Sequence, residues 1–101
     1  MTRPARPAAK PTQFVDNERA IVTEWRFAPG AETGWHRHGH DYVVVPMTNG
    51  ELLLEEPGGT SRTAPLTAGV PYFKSEGVEH NVVNASSHEV VFVEIEFKRK
   101  A

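Results

Sequence analysis

Three of the chain's five histidines stand in one short stretch, Gly34-Trp35-His36-Arg37-His38-Gly39-His40-Asp41-Tyr42. Neutral imidazole is a good ligand for divalent transition metals. The chain has no cysteine, so a metal site here must be built from nitrogen and oxygen. His36, His38, His40 and Tyr42 share one parity, and an extended strand would turn all four side chains to the same face. Two imidazoles at i and i+2 can share an ion, and three protein nitrogens leave positions open for a substrate. If that face points inward, burial favours the neutral ring that can coordinate. Taken alone, the stretch also matches a solvated His-rich loop that picks up metal adventitiously.

The elements that must position these side chains read as strands. Ile21, Thr23, Trp25 and Phe27 alternate with Val22, Glu24 and Arg26. Pro29-Gly30 and Gly34 break the chain before a strand region over 36–45, which stops at Pro46 and turns at Thr48-Asn49-Gly50. Segment 51–56 carries three leucines and ends at Pro57-Gly58-Gly59, and 60–66 reads as a polar strand. Short strands over 70–73 and 78–83 flank Ser75-Glu76-Gly77. Segment 89–98 alternates cleanly, with Val91, Val93, Ile95 and Phe97 on one side and Glu94, Glu96 and Lys98 on the other. No stretch has a helical apolar period. Short strands punctuated by glycine and proline predict an all-β sandwich or barrel.

A length of 101 residues suits one domain with a small core, which a homodimer partner would extend. The formal net charge of -2 offers no basic surface for nucleic acid. The opening MTRPARPAAKP is basic and proline-rich without the apolar run of a secretory signal. No stretch approaches the roughly 20 apolar residues that cross a bilayer. The expectation is a cytoplasmic protein with neither membrane nor nucleic-acid partners. Residues 1–12 read as a flexible tail or an arm on a neighbouring subunit, and 13–101 as the barrel domain.

A second stretch joins the first. Gly69, Gly77, His80 and Asn84 follow the spacing G-x5-P-x-G-x2-H-x3-N, with Ser75 in the proline position. His36 and His38 match a His-x-His motif, and Gly50 lies one residue beyond the glycine that closes it. Together the two stretches resemble the paired motifs of the cupin superfamily, over nearly the whole of 14–97. The chain also resembles small stand-alone bacterial cupins often named for β-alanine degradation. The resemblance implies a double-stranded β-helix, a small jelly-roll barrel with a metal in its mouth and two-fold dimers common. It also implies His36, His38 and His80 as ligands.

The motif's glutamate ligand falls on Tyr42. Three neutral imidazoles leave the ion's +2 charge uncompensated, which would draw an anionic or enolisable chelating substrate. Tyr42 is open to three readings: a core tyrosine, a hydrogen-bond donor to a bound oxygen species or enolate, or a phenolate ligand. His40 would be a fourth ligand or line the cavity, unless Gly39 turns it aside. Asp41 would face solvent or orient an imidazole, and His88 belongs to a solvated turn. Trp35, Arg37 and Phe27 are the expected pocket residues. Trp35 and Phe27 equally suit the core, as do Tyr72, Phe73, Phe92 and Phe97, and Arg37 equally suits the surface. Asn84 is expected to fix a turn.

The resemblance extends to three-histidine dioxygenases acting on diketones or thiols. The leading expectation is therefore a mononuclear iron(II) dioxygenase for a small chelating substrate, a diketone, thiol or organic acid. A lyase or isomerase using Zn, Ni or Mn, with His40 or Tyr42 moving a proton, is the alternative. A small-molecule binding cupin without turnover is the third reading.

Overall fold

The computed structural model describes residues 5–98. Nine strands follow one another: β1 (Lys10–Asp16), β2 (Ala20–Phe27), β3 (His36–Arg37), β4 (Asp41–Pro46), β5 (Gly50–Glu56), β6 (Thr60–Leu66), β7 (Tyr72–Lys74), β8 (Glu79–Asn84) and β9 (Val90–Phe97). They form two antiparallel sheets, ordered β1-β2-β9-β4-β7 and β3-β8-β5-β6. This is the expected all-β double-stranded β-helix, with a core between facing sheets. No helix among the described residues is long and apolar enough to cross a membrane.

Alternation decides what each strand buries. On β4, Tyr42, Val44 and Pro46 point in; on β5, Leu52 and Leu54 do so. On β2, Phe27 is fully buried and packs on Phe92 of β9, with ring centroids 5.3 Å apart. The β4–β5 hairpin needs Gly50, because a Cβ there would lie 2.7 Å from Val90 Cγ2. Asn84 ties down the β8–β9 turn: its amide donates to the carbonyls of Phe27, Ala28 and His88, and its Oδ1 accepts from the Ser86 N–H.

β9 turns its charged face inward. Val90, Phe92, Glu94 and Glu96 share the core-facing parity, while Val91, Val93, Ile95 and Phe97 lie on the outer side of the sheet. Phe97 is consequently exposed, as is Phe73 on the edge strand β7, and neither joins the core expected of it.

The expected tail is a further difference. Its boundary at residues 12 and 13 falls inside β1, which pairs along β2. Before β1, Ala9 is buried and donates its N–H to the Glu32 carbonyl, while Glu32 donates back to the Pro7 carbonyl. The Arg6 guanidinium reaches Glu32 and Glu55, and the Asn81 amide donates to the same two carboxylates. Arg6 and Asn81 hold the Glu55 carboxyl below its ordinary value. Residues 5–9 thus have polar and apolar partners that composition alone does not reveal; residues 1–4 lie outside the described part.

Candidate metal centre

The β3–β8 register sets His36 directly opposite His80. Directly opposed residues of an antiparallel pair have Cβ atoms about 4.5–5.5 Å apart, close enough for two rings to share an ion. His38 lies just beyond β3, where the chain leaves the sheet. Its N–H donates to the Val78 carbonyl and its carbonyl accepts from the Gly77 N–H, both at 2.8 Å. Gly77 can serve there because its φ of +97° is strained for any residue with a side chain. The motif glycine of the β7–β8 turn therefore supports the second histidine of the other motif.

Three ring nitrogens converge. His38 Nε2 lies 2.9 Å from His36 Nε2 and 3.2 Å from His80 Nε2. The Gly34 carbonyl, 2.8 Å from His36 Nδ1, can only accept, so Nδ1 carries the hydrogen and Nε2 presents its lone pair. Two nitrogens each about 2.1 Å from one ion, at a right angle, are about 3 Å apart, so the observed spacings suit joint coordination. Burial, together with the charge of His36 and His80, lowers His38 to about 3. Burial, then His36, Lys74 and Arg62, lowers His80 to about 4. Both rings are neutral at pH 7, the form that binds metal.

Tyr42 supports this group without matching a phenolate ligand. Its ring stacks on His38 at a centroid distance of 4.0 Å and an interplanar angle of 21°. Burial, reinforced by Glu94, Tyr72 and Glu96, raises the hydroxyl well above its ordinary value, so the side chain stays a phenol. Its position suits holding the plane of an imidazole.

Several other expected residues stand elsewhere. His40 belongs to neither of the two metal-competent groups among the described residues, because the strand breaks between Arg37 and Asp41 and parity does not carry across the break. Asp41 accepts the Glu76 N–H at 2.7 Å, fixing the β7–β8 turn rather than an imidazole. Trp35 is 52% exposed and donates its indole N–H to Glu79; it borders a separate depression beside Pro57-Gly58-Gly59. Phe27 is core and does not line the histidine cavity. Arg37 does line it, at an exposed position. His88 is exposed, with Nε2 against the Asn49 carbonyl.

The cavity holds about 270 Å³ and joins His36 and His38 to Trp25, Phe92, Glu94 and Glu96. The two glutamates were not expected there. Together with His38 they form a second group whose ligand atoms all lie within 4.8 Å of one another. Glu94 is only 9% exposed. Burial and the neighbouring Glu96 push its carboxyl up to about 7, against the Trp25 N–H that donates to it. Two acidic side chains therefore stand close to the histidines, at positions the motifs do not cover. The available signal was the parity they share with Phe92.

The comparisons with known proteins agree with this architecture. No protein-family model matches the chain. The β-alanine degradation protein BauB of Pseudomonas aeruginosa is 72% identical over 93 residues, covering 92% of this chain and 97% of the relative. The crystal structure of a cupin domain from Bordetella pertussis superposes with a TM-score of 0.92 at 65% identity, over 96% of this chain and 100% of that one. A double-stranded β-helix protein from Klebsiella pneumoniae shares the fold at 20% identity, with a TM-score of 0.71, over 97% and 90%. With its two sheets, its paired histidine strands and these relatives, the chain belongs to the cupin superfamily as a small single-domain member.

Proposed function

We propose that the protein is a mononuclear non-haem metal enzyme, most simply an iron(II) dioxygenase, acting on a small chelating substrate. The observation that carries this reading is the convergence of the His36, His38 and His80 Nε2 atoms, with the rings of His36 and His38 lining a cavity. Bound there, a divalent ion supplies Lewis acidity and, as iron, a redox centre open to substrate and O₂. Ni²⁺, Zn²⁺ and Mn²⁺ suit the same nitrogens.

The chain's own residues do the rest. Gly34 O and Tyr42 hold the imidazole planes, Trp25 and Phe92 exclude water from the cavity wall, and Arg37 stands at its rim. At about 270 Å³ the cavity lies below the usual 300–1,000 Å³ of drug-sized sites and suits a small metabolite. Glu94 and Glu96 disfavour a polyanion and accept hydrogen bonds from a hydroxyl, thiol or amino group. The P. aeruginosa relative's name ties that protein to β-alanine degradation. For this chain it supports a small amino- or carbonyl-bearing substrate among the diketones, thiols and organic acids.

The test is O₂ uptake by protein loaded anaerobically with one equivalent of Fe(II), across diketones, thiols, catechols and β-amino acids. Turnover-linked uptake with one class is expected. Uptake no faster than free iron across the panel, or equal turnover with Zn²⁺, would sink the dioxygenase assignment. A second copy of the chain is the proposed protein partner, supported by the outward apolar row of Val93 and Ile95 with Val43, Phe73 and Phe97 beside it. Light scattering should give a dimer mass that Ile95→Glu reduces; a wild-type monomer at micromolar concentration contradicts it.

A further inference from the structure

Glu94 presents a problem that the fold alone does not solve. It sits on the inner face of β9, between Thr23 of β2 and Val44 of β4, where neither neighbour carries charge. It is nearly buried, and among the described residues no lysine or arginine forms a salt bridge with it. The Trp25 indole donates one hydrogen bond, which does not neutralise a carboxylate. Burying an unpaired carboxylate is costly, and such groups ordinarily pair with a cation or bind a metal.

A second, independent observation points to that cation. Three histidine nitrogens face one another at 2.9 and 3.2 Å, and the tautomer forced on His36 puts its lone pair toward His38. Nitrogens at this distance share either a proton or a metal ion, and the lone pair of His36 is turned toward that shared position. His38 belongs both to this triad and to the group it forms with Glu94 and Glu96. The carboxylates therefore stand one residue away from the triad, across the cavity from β3 and β8.

We propose that Glu94 is the anionic member of the metal centre, reaching it from β9 and compensating the charge that a glutamate at the position of Tyr42 would otherwise balance. The proposal rests on the three-histidine reading. Glu94 rather than Glu96 carries it, because Glu96 is more exposed. Tyr42 and Glu94 then divide the work of the displaced ligand: the ring holds the plane of His38, and the carboxylate supplies the charge. The site so completed has less appetite for a strongly anionic ligand than three imidazoles alone.

The test is Co(II) affinity of the untagged protein, measured by competition with a chromophoric chelator, beside the thermal midpoint of the metal-free form. Glu94→Gln keeps the side chain's size and an acceptor for Trp25. Its affinity should fall about 10–100-fold, the usual range for residues supporting a metal's ligands, while metal-free stability stays equal or rises. Glu96→Gln should cost less, and Glu24→Gln, outside the cavity, nothing. If Glu94→Gln fails to fold, Glu94→Asp decides the matter: it keeps the charge but withdraws it, and a measurable loss of affinity is expected. Wild-type affinity in Glu94→Gln, or in Glu94→Asp where that variant must stand in, overturns the proposal, provided His80→Ala has lost the metal. Stoichiometric Co(II) in His80→Ala would instead remove the triad on which the proposal stands.

Discussion

The two walls of the cavity are built by different logic. On one side, β3 and β8 present His36 and His80 from directly opposed positions, and a tight turn at Gly77 brings in His38. On the other, β9 presents Glu94 and Glu96 in the same row as the core residues Val90 and Phe92. On the histidine wall, burial opposes the charged form of His38 and His80. On the acidic wall, burial opposes the charged form of Glu94, so each wall lacks what a cation between them would supply.

The largest expected effect separates core from site. Phe27→Ala should lower stability by about 3–5 kcal/mol through the cavity it leaves, read from denaturant midpoints. Because Phe27 lies outside the histidine cavity, the fraction that remains folded should keep its metal. Loss of metal from correctly folded Phe27→Ala would return the residue to the pocket.

The walls should also titrate in opposite directions. His38 and His80 have folded values below the ordinary 6.5, so their contribution to metal-free stability is complete above that pH and is lost as pH falls toward 4 and 3. Glu94 is raised from 4.5 to about 7, so its burial costs nothing in acid and destabilises progressively as pH rises through that window. Thermal midpoints in chelator should therefore show Glu94→Gln more stable than wild type at pH 8, with the advantage gone by pH 4. A pH-independent difference would mean that the carboxyl is not the buried titrating group described.

The same contrast explains what was legible beforehand. His36, His38 and His80 were readable because two gapped motifs fix their spacing, and strand parity placed His36 on a usable face. Parity failed at His40, because the backbone of His38 bonds to the β7–β8 turn and ends the strand. The alternation of β9 was plain, yet a period of two defines two faces without saying which one the second sheet covers. The barrel buries Val90 and Phe92 in one row with Glu94, while Phe97, also expected in the core, lies in the other row. β1 stayed hidden because all seven of its residues are exposed, leaving no apolar alternation to read.

Smaller effects refine the picture. Tyr42→Phe keeps the ring on His38 and should change Co(II) affinity by no more than about threefold, whereas Tyr42→Leu, lacking the ring, should lose about tenfold or more. A large loss in Tyr42→Phe would restore the hydroxyl as the important group. Arg6→Ala should cost about 1 kcal/mol, as expected for a partly exposed ion pair, with metal content unchanged. No change in stability would show that residues 5–9 add little to the barrel.

The most direct measurement is elemental analysis of the protein produced without a histidine tag, compared with His80→Ala under identical purification. The three-histidine centre predicts close to one divalent transition-metal ion per wild-type chain and almost none in the variant, with far-ultraviolet circular dichroism unchanged. Equal metal content in the two folded proteins would contradict it.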